Sequence, residues 1–254
     1  MIRGRGRFSR VLTALLALFI LLLLNSCEKN RIDDIFMSTG KETTITRDIT
    51  GNFTKIRLED GLDLVITTGK PYAITLTGGE NVLEGVETTI TDSCLTLVNK
   101  NKFNWVRSYD KRITANVSLP NLVYIEYESS GTISNTDTIR SDSLFVTAYG
   151  SGIINLMIDT RSSHLALTRG SVDFNIRGFS GVNYLFADGY GPFHCENLKT
   201  GYTFMHTKST NDCYIRVDFH LEYIIDNIGN IYYKGKPAHI SGKKNAEGQL
   251  IHVE

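Results

Sequence analysis

Most of what would announce an enzyme or a nucleic-acid partner is missing from this sequence. It has no Ser/His/Asp motif, no phosphate-cradling glycine loop and no paired-cysteine motif. The six histidines, at 164, 194, 206, 220, 239 and 252, show none of the spacings by which zinc is held, so no metal and no cofactor are expected. Basic and acidic side chains balance at 27 each, leaving no electrostatic footprint for nucleic acid. No long helical period follows the N-terminal segment. Tryptophan occurs once, and only one apolar run is long.

That run, 11–24, follows Arg3, Arg5, Arg7 and Arg10 and has the form of a signal peptide. At about fourteen residues it is short for a bilayer span of roughly twenty. It ends in Leu24-Asn25-Ser26-Cys27, which resembles the bacterial lipobox. Residues 1–26 are thus expected to be removed and Cys27 to be acylated, anchoring the chain to a membrane through its lipid. Glu28 after the cysteine and the Asp33-Asp34 pair fit an outer-membrane lipoprotein of the cell envelope, exposed at the surface. Without the four signal arginines, 27 − 4 = 23 bases face 27 acids, a net charge of −4. Residues 27–42 are polar and patternless and read as a tether.

What is present is a repeat. Small-residue corners recur as Ser129-Ser130-Gly131, Gly150-Ser151-Gly152, Gly170-Ser171-Val172, Gly189-Tyr190-Gly191, Ser209-Thr210-Asn211 and Asn227-Ile228-Gly229, with centres 21, 20, 19, 20 and 18 residues apart. Three residues after each centre stand Ile133, Ile154, Phe174, Phe193, Cys213 and Ile231, all apolar. Five after come Asn135, Leu156, Ile176, Cys195, Ile215 and Tyr233; between the two columns lie Ser134, Asn155, Asn175, His194, Tyr214 and Tyr232. Apolar–polar–apolar alternation at a fixed period of about 20 residues predicts an all-β fold, a parallel β-helix over 43–254. About ten coils at roughly 4.8 Å each would stack some 45 Å deep. The strand before each corner should face inward at Leu144, Val146 and Ala148, or at Leu221, Tyr223 and Ile225. In the third copy the same positions hold His164, Ala166 and Thr168, with Leu165 and Leu167 out of phase, so a one-residue bulge is expected there. Cys195 and Cys213 fall in different core columns, too far apart for a disulfide.

The first half predicts strands at 53–58, 62–67, 73–76, 88–90, 95–98 and 113–119, with turns at Asp60-Gly61, Gly69-Lys70-Pro71 and Gly78-Gly79. These form either irregular opening coils or a cap over the end edge. Phe53-x-x-Ile56, Asn81-Val82-Leu83 before Thr88, Leu119-Pro120-x-Leu122, the Gly-Ser-Gly corners and the closing Ile231-Tyr232-Tyr233-x-Gly235-x-Pro237 follow one another in a telling order. Together, from about 50 to 243, they resemble the Bacteroidetes lipoproteins that carry an autotransporter-adhesin head domain, the GIN domain. The resemblance implies a right-handed parallel β-helix and brings no catalytic residues with it. The chain departs from the family pattern at its last two corners and in an insertion at 100–112.

Several groups could carry function. The insertion holds Phe103, Trp105, Arg107 and Tyr109, rings beside cations, which suit a sugar or an anionic polymer or else fold over a coil end. The column two residues before each centre, Glu128, Tyr149, Arg169, Asp188, Lys208 and Asp226, reads as a cross-strand charge ladder. A β-helix polysaccharide lyase would instead need several acids converging on one cation. His194, Tyr214 and Tyr232 form an outward row, either a stacked exterior ladder or a flat contact strip. The expectation is a non-enzymatic envelope lipoprotein whose rigid β-helix binds a carbohydrate or protein ligand. A β-helix carbohydrate-active enzyme and a structural envelope partner, open to oligomerisation, are the alternatives.

Overall fold

Period-two burial on both sides of each corner makes every repeat one rung of a cylinder. The computed structural model describes residues 39–101 and 112–254. Its regular part is a β-solenoid of about six turns, each of about 20 residues, fewer than the ten coils expected from length. The rungs are β8 (Tyr124–Glu128) and β9 (Thr132–Asn135), then β10 (Ile139–Ala148), β11 (Ile153–Leu167), β12 (Asp173–Ala187), β13 (Phe193–Thr207) and β14 (Cys213–Ile225), closed by β15 (Ile231–Lys234), β16 (His239–Lys244) and β17 (Leu250–His252). Successive strands pair in parallel.

The lining follows the repeat. Ile133, Ile154, Phe174, Phe193, Cys213 and Ile231 are register partners in one unbroken, fully buried column. Phe174 and Phe193 stack in it with centroids 4.5 Å apart. Each such side chain contributes roughly 1.5–3 kcal/mol by leaving water. In the third copy Leu165 and Leu167 point inward, aligned with Val146 and Ala148. The extra residue sits in the corner rather than in the strand. Thr168 N–H donates to Ala148 O, one rung below and 20 residues back, whereas Ser171 N–H donates to Gly150 O, 21 back. Gly170 takes φ +89° to absorb it, in the left-handed region that glycine tolerates.

One side of the interior is polar. Thr160, Ser180 and Thr200 form one register column, and Ser163, Asn183 and Thr203 another, all buried. They satisfy one another: Ser163 Oγ lies 2.8 Å from both Ser180 Oγ and Asn183 Oδ1, and Thr200 Oγ1 lies 2.7 Å from Thr203 Oγ1. Buried hydroxyls without such partners would be costly.

The N-terminal strands are layered out of chain order. They are β1 (Glu42–Thr46), β2 (Lys55–Glu59), β3 (Asp63–Thr68), β4 (Ala73–Gly79), helix α1 (Glu80–Leu83), β5 (Val86–Thr91), β6 (Cys94–Asn99) and β7 (Thr114–Leu119). The rung β2–β3 lies directly beneath β8–β9, and β6–β7 lies beneath β2–β3. Antiparallel β4 with β1, and antiparallel β5, then close that end. Arg47 Nη2 donates to the carbonyls of Leu83 and Val86, both at 2.9 Å, fastening α1 to the cap. Of the two readings of this half, both apply: displaced coils beneath a cap.

Candidate functional site

The strands entering the corners turn one column of rings outward. Phe145, His164, Tyr184 and Phe204 are register partners on β10 to β13. Their rings stack at 4.3, 4.5 and 5.1 Å with interplanar angles of 12°, 8° and 12°. Phe145 is 40% and Tyr184 41% exposed. Burial lowers the pKa of His164, which keeps that ring neutral and compatible with its aromatic neighbours.

Beside this column runs a second one, Ala166, Phe186, His206 and Ile224. Because Ala166 is small, the two columns leave between them a groove of about 310 Å³, with Glu222 at one end. Its rim is charged. Lys208 Nζ lies 5.6 Å from the Phe186 ring centroid, and His206 Nε2 lies 2.7 Å from Asp226 Oδ2. That hydrogen bond, with a second from Asn245, holds the Asp226 carboxyl below its usual range.

The outward row expected on the other face is present: His194, Tyr214 and Tyr232 stack at 5.4 and 5.0 Å. The charged column pairs differently from the neighbour-to-neighbour ladder expected. Arg169 spans two rungs, reaching Glu128 Oε1 at 3.1 Å while its guanidinium lies 5.1 Å from the Tyr149 ring centroid. Asp226 turns to His206 on the adjacent column. Lys208 leans over the Phe186 ring, its Nζ 5.6 Å from the centroid, a cation–π contact. Among the described residues, no three His, Cys, Asp or Glu side chains gather as a metal site would require, and no helix is long and apolar enough to cross a membrane. Phe103, Trp105, Arg107 and Tyr109, and the lipid-attachment residue Cys27, lie outside the described residues.

The ring column Phe145–His164–Tyr184–Phe204 is hidden in the sequence, because corner spacing alone puts His164 inward. Counting the extra corner residue restores it, with offsets of 19, 20 and 20.

Residues 52–237 match the family described as "Putative auto-transporter adhesin, head GIN domain". Among solved structures, a "putative adhesin" from Bacteroides fragilis is similar over 84% of this chain and 97% of its own, at TM-score 0.72 and 17% identity. A "putative adhesin" from Parabacteroides distasonis covers 84% and 98% at TM-score 0.60 and 15% identity. A "putative lipid binding protein" from the same organism covers 85% and 98% at TM-score 0.64 and 14% identity. At these identities the likeness concerns the fold. No curated protein matches the chain.

Proposed function

The chain belongs to the family described as "Putative auto-transporter adhesin, head GIN domain", and from that premise we propose that it is a non-catalytic binding protein of the cell envelope. The observation that carries this reading is the exposed, stacked column Phe145–His164–Tyr184–Phe204 beside its groove. A surface that keeps four rings in register over successive rungs holds them rigid, so a partner need not pay for ordering them on contact. Exposed apolar patches of this kind mark interaction sites.

Acylation of Cys27 would tether the domain to the outer membrane, and Phe103, Trp105, Arg107 and Tyr109 would form a second contact element for a carbohydrate or protein ligand. The mature chain and a Tyr184→Ser/Phe204→Ser variant, displayed on beads, are to be compared for capture on glycan and envelope-protein arrays. At least a tenfold loss of signal, with an unchanged melting temperature, is expected, on the order of two lost aromatic anchors. Equal capture by both would remove the ring column from the function. Cys27→Ser should shift the protein from the membrane to the soluble fraction, and protease shaving of intact cells reports which face displays it.

A further inference from the structure

A larger groove, about 1250 Å³, opens where β10, β11 and β12 bend away from the ring column. Its floor is a lattice of alternating charge. Arg140 Nε lies 3.7 Å from Asp159 Oδ2, and Arg161 Nη2 lies 3.4 Å from Asp142 Oδ1, with each partner one rung from the other. All four side chains are between 52% and 87% exposed. Pairs so open to water stabilise a fold by about 0–1 kcal/mol, so opening them toward a ligand costs little.

Two rings frame the lattice. Phe179, 45% exposed, follows Gly178, whose φ of +111° and closeness to Ile158 O exclude any side chain there. The backbone that presents Phe179 is therefore one only glycine adopts readily. Phe145 gives one face to His164, and its column neighbour on the other side, Tyr124, lines the groove with it. Phe179 stands in the Arg140–Asp159 column and Phe145 five positions along the strand from it, so the two rings lie two rungs apart, roughly 10 Å along the stack, and diagonally across the groove. Apolar ring faces separated by in-plane donors and acceptors form the combination that recognises a sugar: the ring covers its C–H face, and carboxylate and guanidinium bridge its neighbouring hydroxyls.

We propose that this groove binds a short neutral oligosaccharide lying diagonally across these rungs, with Phe145 and Phe179 as platforms and Asp142, Asp159, Arg140 and Arg161 as hydroxyl partners. Charge argues for the neutral class. The two pairs cancel, leaving Lys55, among the described residues, as the lining cation without a carboxylate opposite it within the groove, too little for a polyanion. The proposal rests on the binding reading above but uses a different set of residues, apart from Phe145.

The test is calorimetric titration of the full mature chain with maltotetraose, cellotetraose and chitotetraose, and with a heparin tetrasaccharide as polyanion. At least one neutral probe should bind. Phe179→Ala should weaken it about tenfold and Asp142→Asn about fivefold, the scale of a single lost contact. Tyr190→Ser, an exposed ring at a distant corner, should leave it unchanged. Circular dichroism of each variant verifies folding; where Phe179→Ala is misfolded, Asp142→Asn alone decides. Binding of none of the neutral probes, equal binding by Asp142→Asn, or preference for heparin overturns the proposal. Loss of array capture in the Tyr184→Ser/Phe204→Ser variant alongside failure here would sink the oligosaccharide site alone.

Discussion

Tyr127 is fully buried, and its hydroxyl donates to the carbonyl of Gly131 at 2.6 Å, tying the first corner to the core. Burial raises the phenol's pKa, so it remains a donor at any physiological pH. Gly131 O also accepts from Ile153 N–H, so Tyr127→Phe leaves that carbonyl partly satisfied. The expected cost is about 1 kcal/mol, or roughly 2–4 °C in melting temperature. Gly152→Ala should cost more, about 3 kcal/mol, because its β-carbon would run into Tyr127 Oη and Gly131 O. In the Tyr127→Phe background the same change should hurt less, since one of the colliding atoms is gone; a double-mutant cycle by denaturant unfolding reads the difference. The two core cysteines give a second residue-scale expectation. Cys213 is packed between Phe193 and Ile231, and burial pushes its thiol up to about 12; burial raises the Cys195 thiol as well. With so little thiolate, both should resist iodoacetamide at pH 8 in the native protein and react after unfolding, whereas half-buried Cys94 should label first. Native labelling of Cys195, read by mass spectrometry, would contradict this packing.

Across an element, the interior seam on β11 to β13 is held by mutual hydrogen bonds rather than by apolar contact. Ser180 Oγ accepts from Thr160 and Ser163 and donates to Val182 O. Ser180→Ala should therefore cost about 1–3 kcal/mol, and Ser171→Ala, at an exposed corner, under about 0.5 kcal/mol. This seam was illegible beforehand, because serine, threonine and asparagine at a strand bend read as surface until the partner rungs are known. The apolar columns were legible for the opposite reason: Ile154, Phe174 and Phe193 each fall three residues after a corner, so local spacing alone aligns them. Strand positions in the first half were legible too, but their stacking was not, since nothing local records that β2 inserts between β6 and β8. The Asp226 contact belongs to this scale because it joins β13 to the last rung through His206 and Asn245. Its folded pKa is depressed, so its contribution is complete above the ordinary value of 3.8 and is lost as pH falls through the lower folded pKa. Between pH 5 and pH 3 the native chain should lose more melting temperature than Asp226→Asn does.

The two ends of the stack differ, and the difference bears on whether the protein stays single. Antiparallel β1, β4 and β5 finish one end, where the strand direction reverses, whereas the parallel rungs β16 and β17 finish the other, each paired on one side only among the described residues. Every residue of β16 is exposed, including Ile240, whose column partner Leu221 is fully buried. An open edge over an unfinished core invites pairing with a second copy. Pairing of this end with the same end of a second copy would satisfy it and close as a two-fold dimer. Lys244 stands against that outcome. It occupies the inward column directly above Ile225, a position filled in the earlier rungs by the uncharged, buried Ala148, Leu167, Ala187 and Thr207, and its Nζ is held by Gln249 Oε1 at 2.6 Å. An inward charge on the last rung forces any second copy to bury it unpaired, or to stay away. Lys244→Val should therefore raise self-association at least tenfold in sedimentation velocity without lowering the melting temperature, and adding Lys243→Val should raise it further. Unchanged monomeric sedimentation of both variants would mean that the short β17 edge, rather than the lysines, is what keeps this end apart.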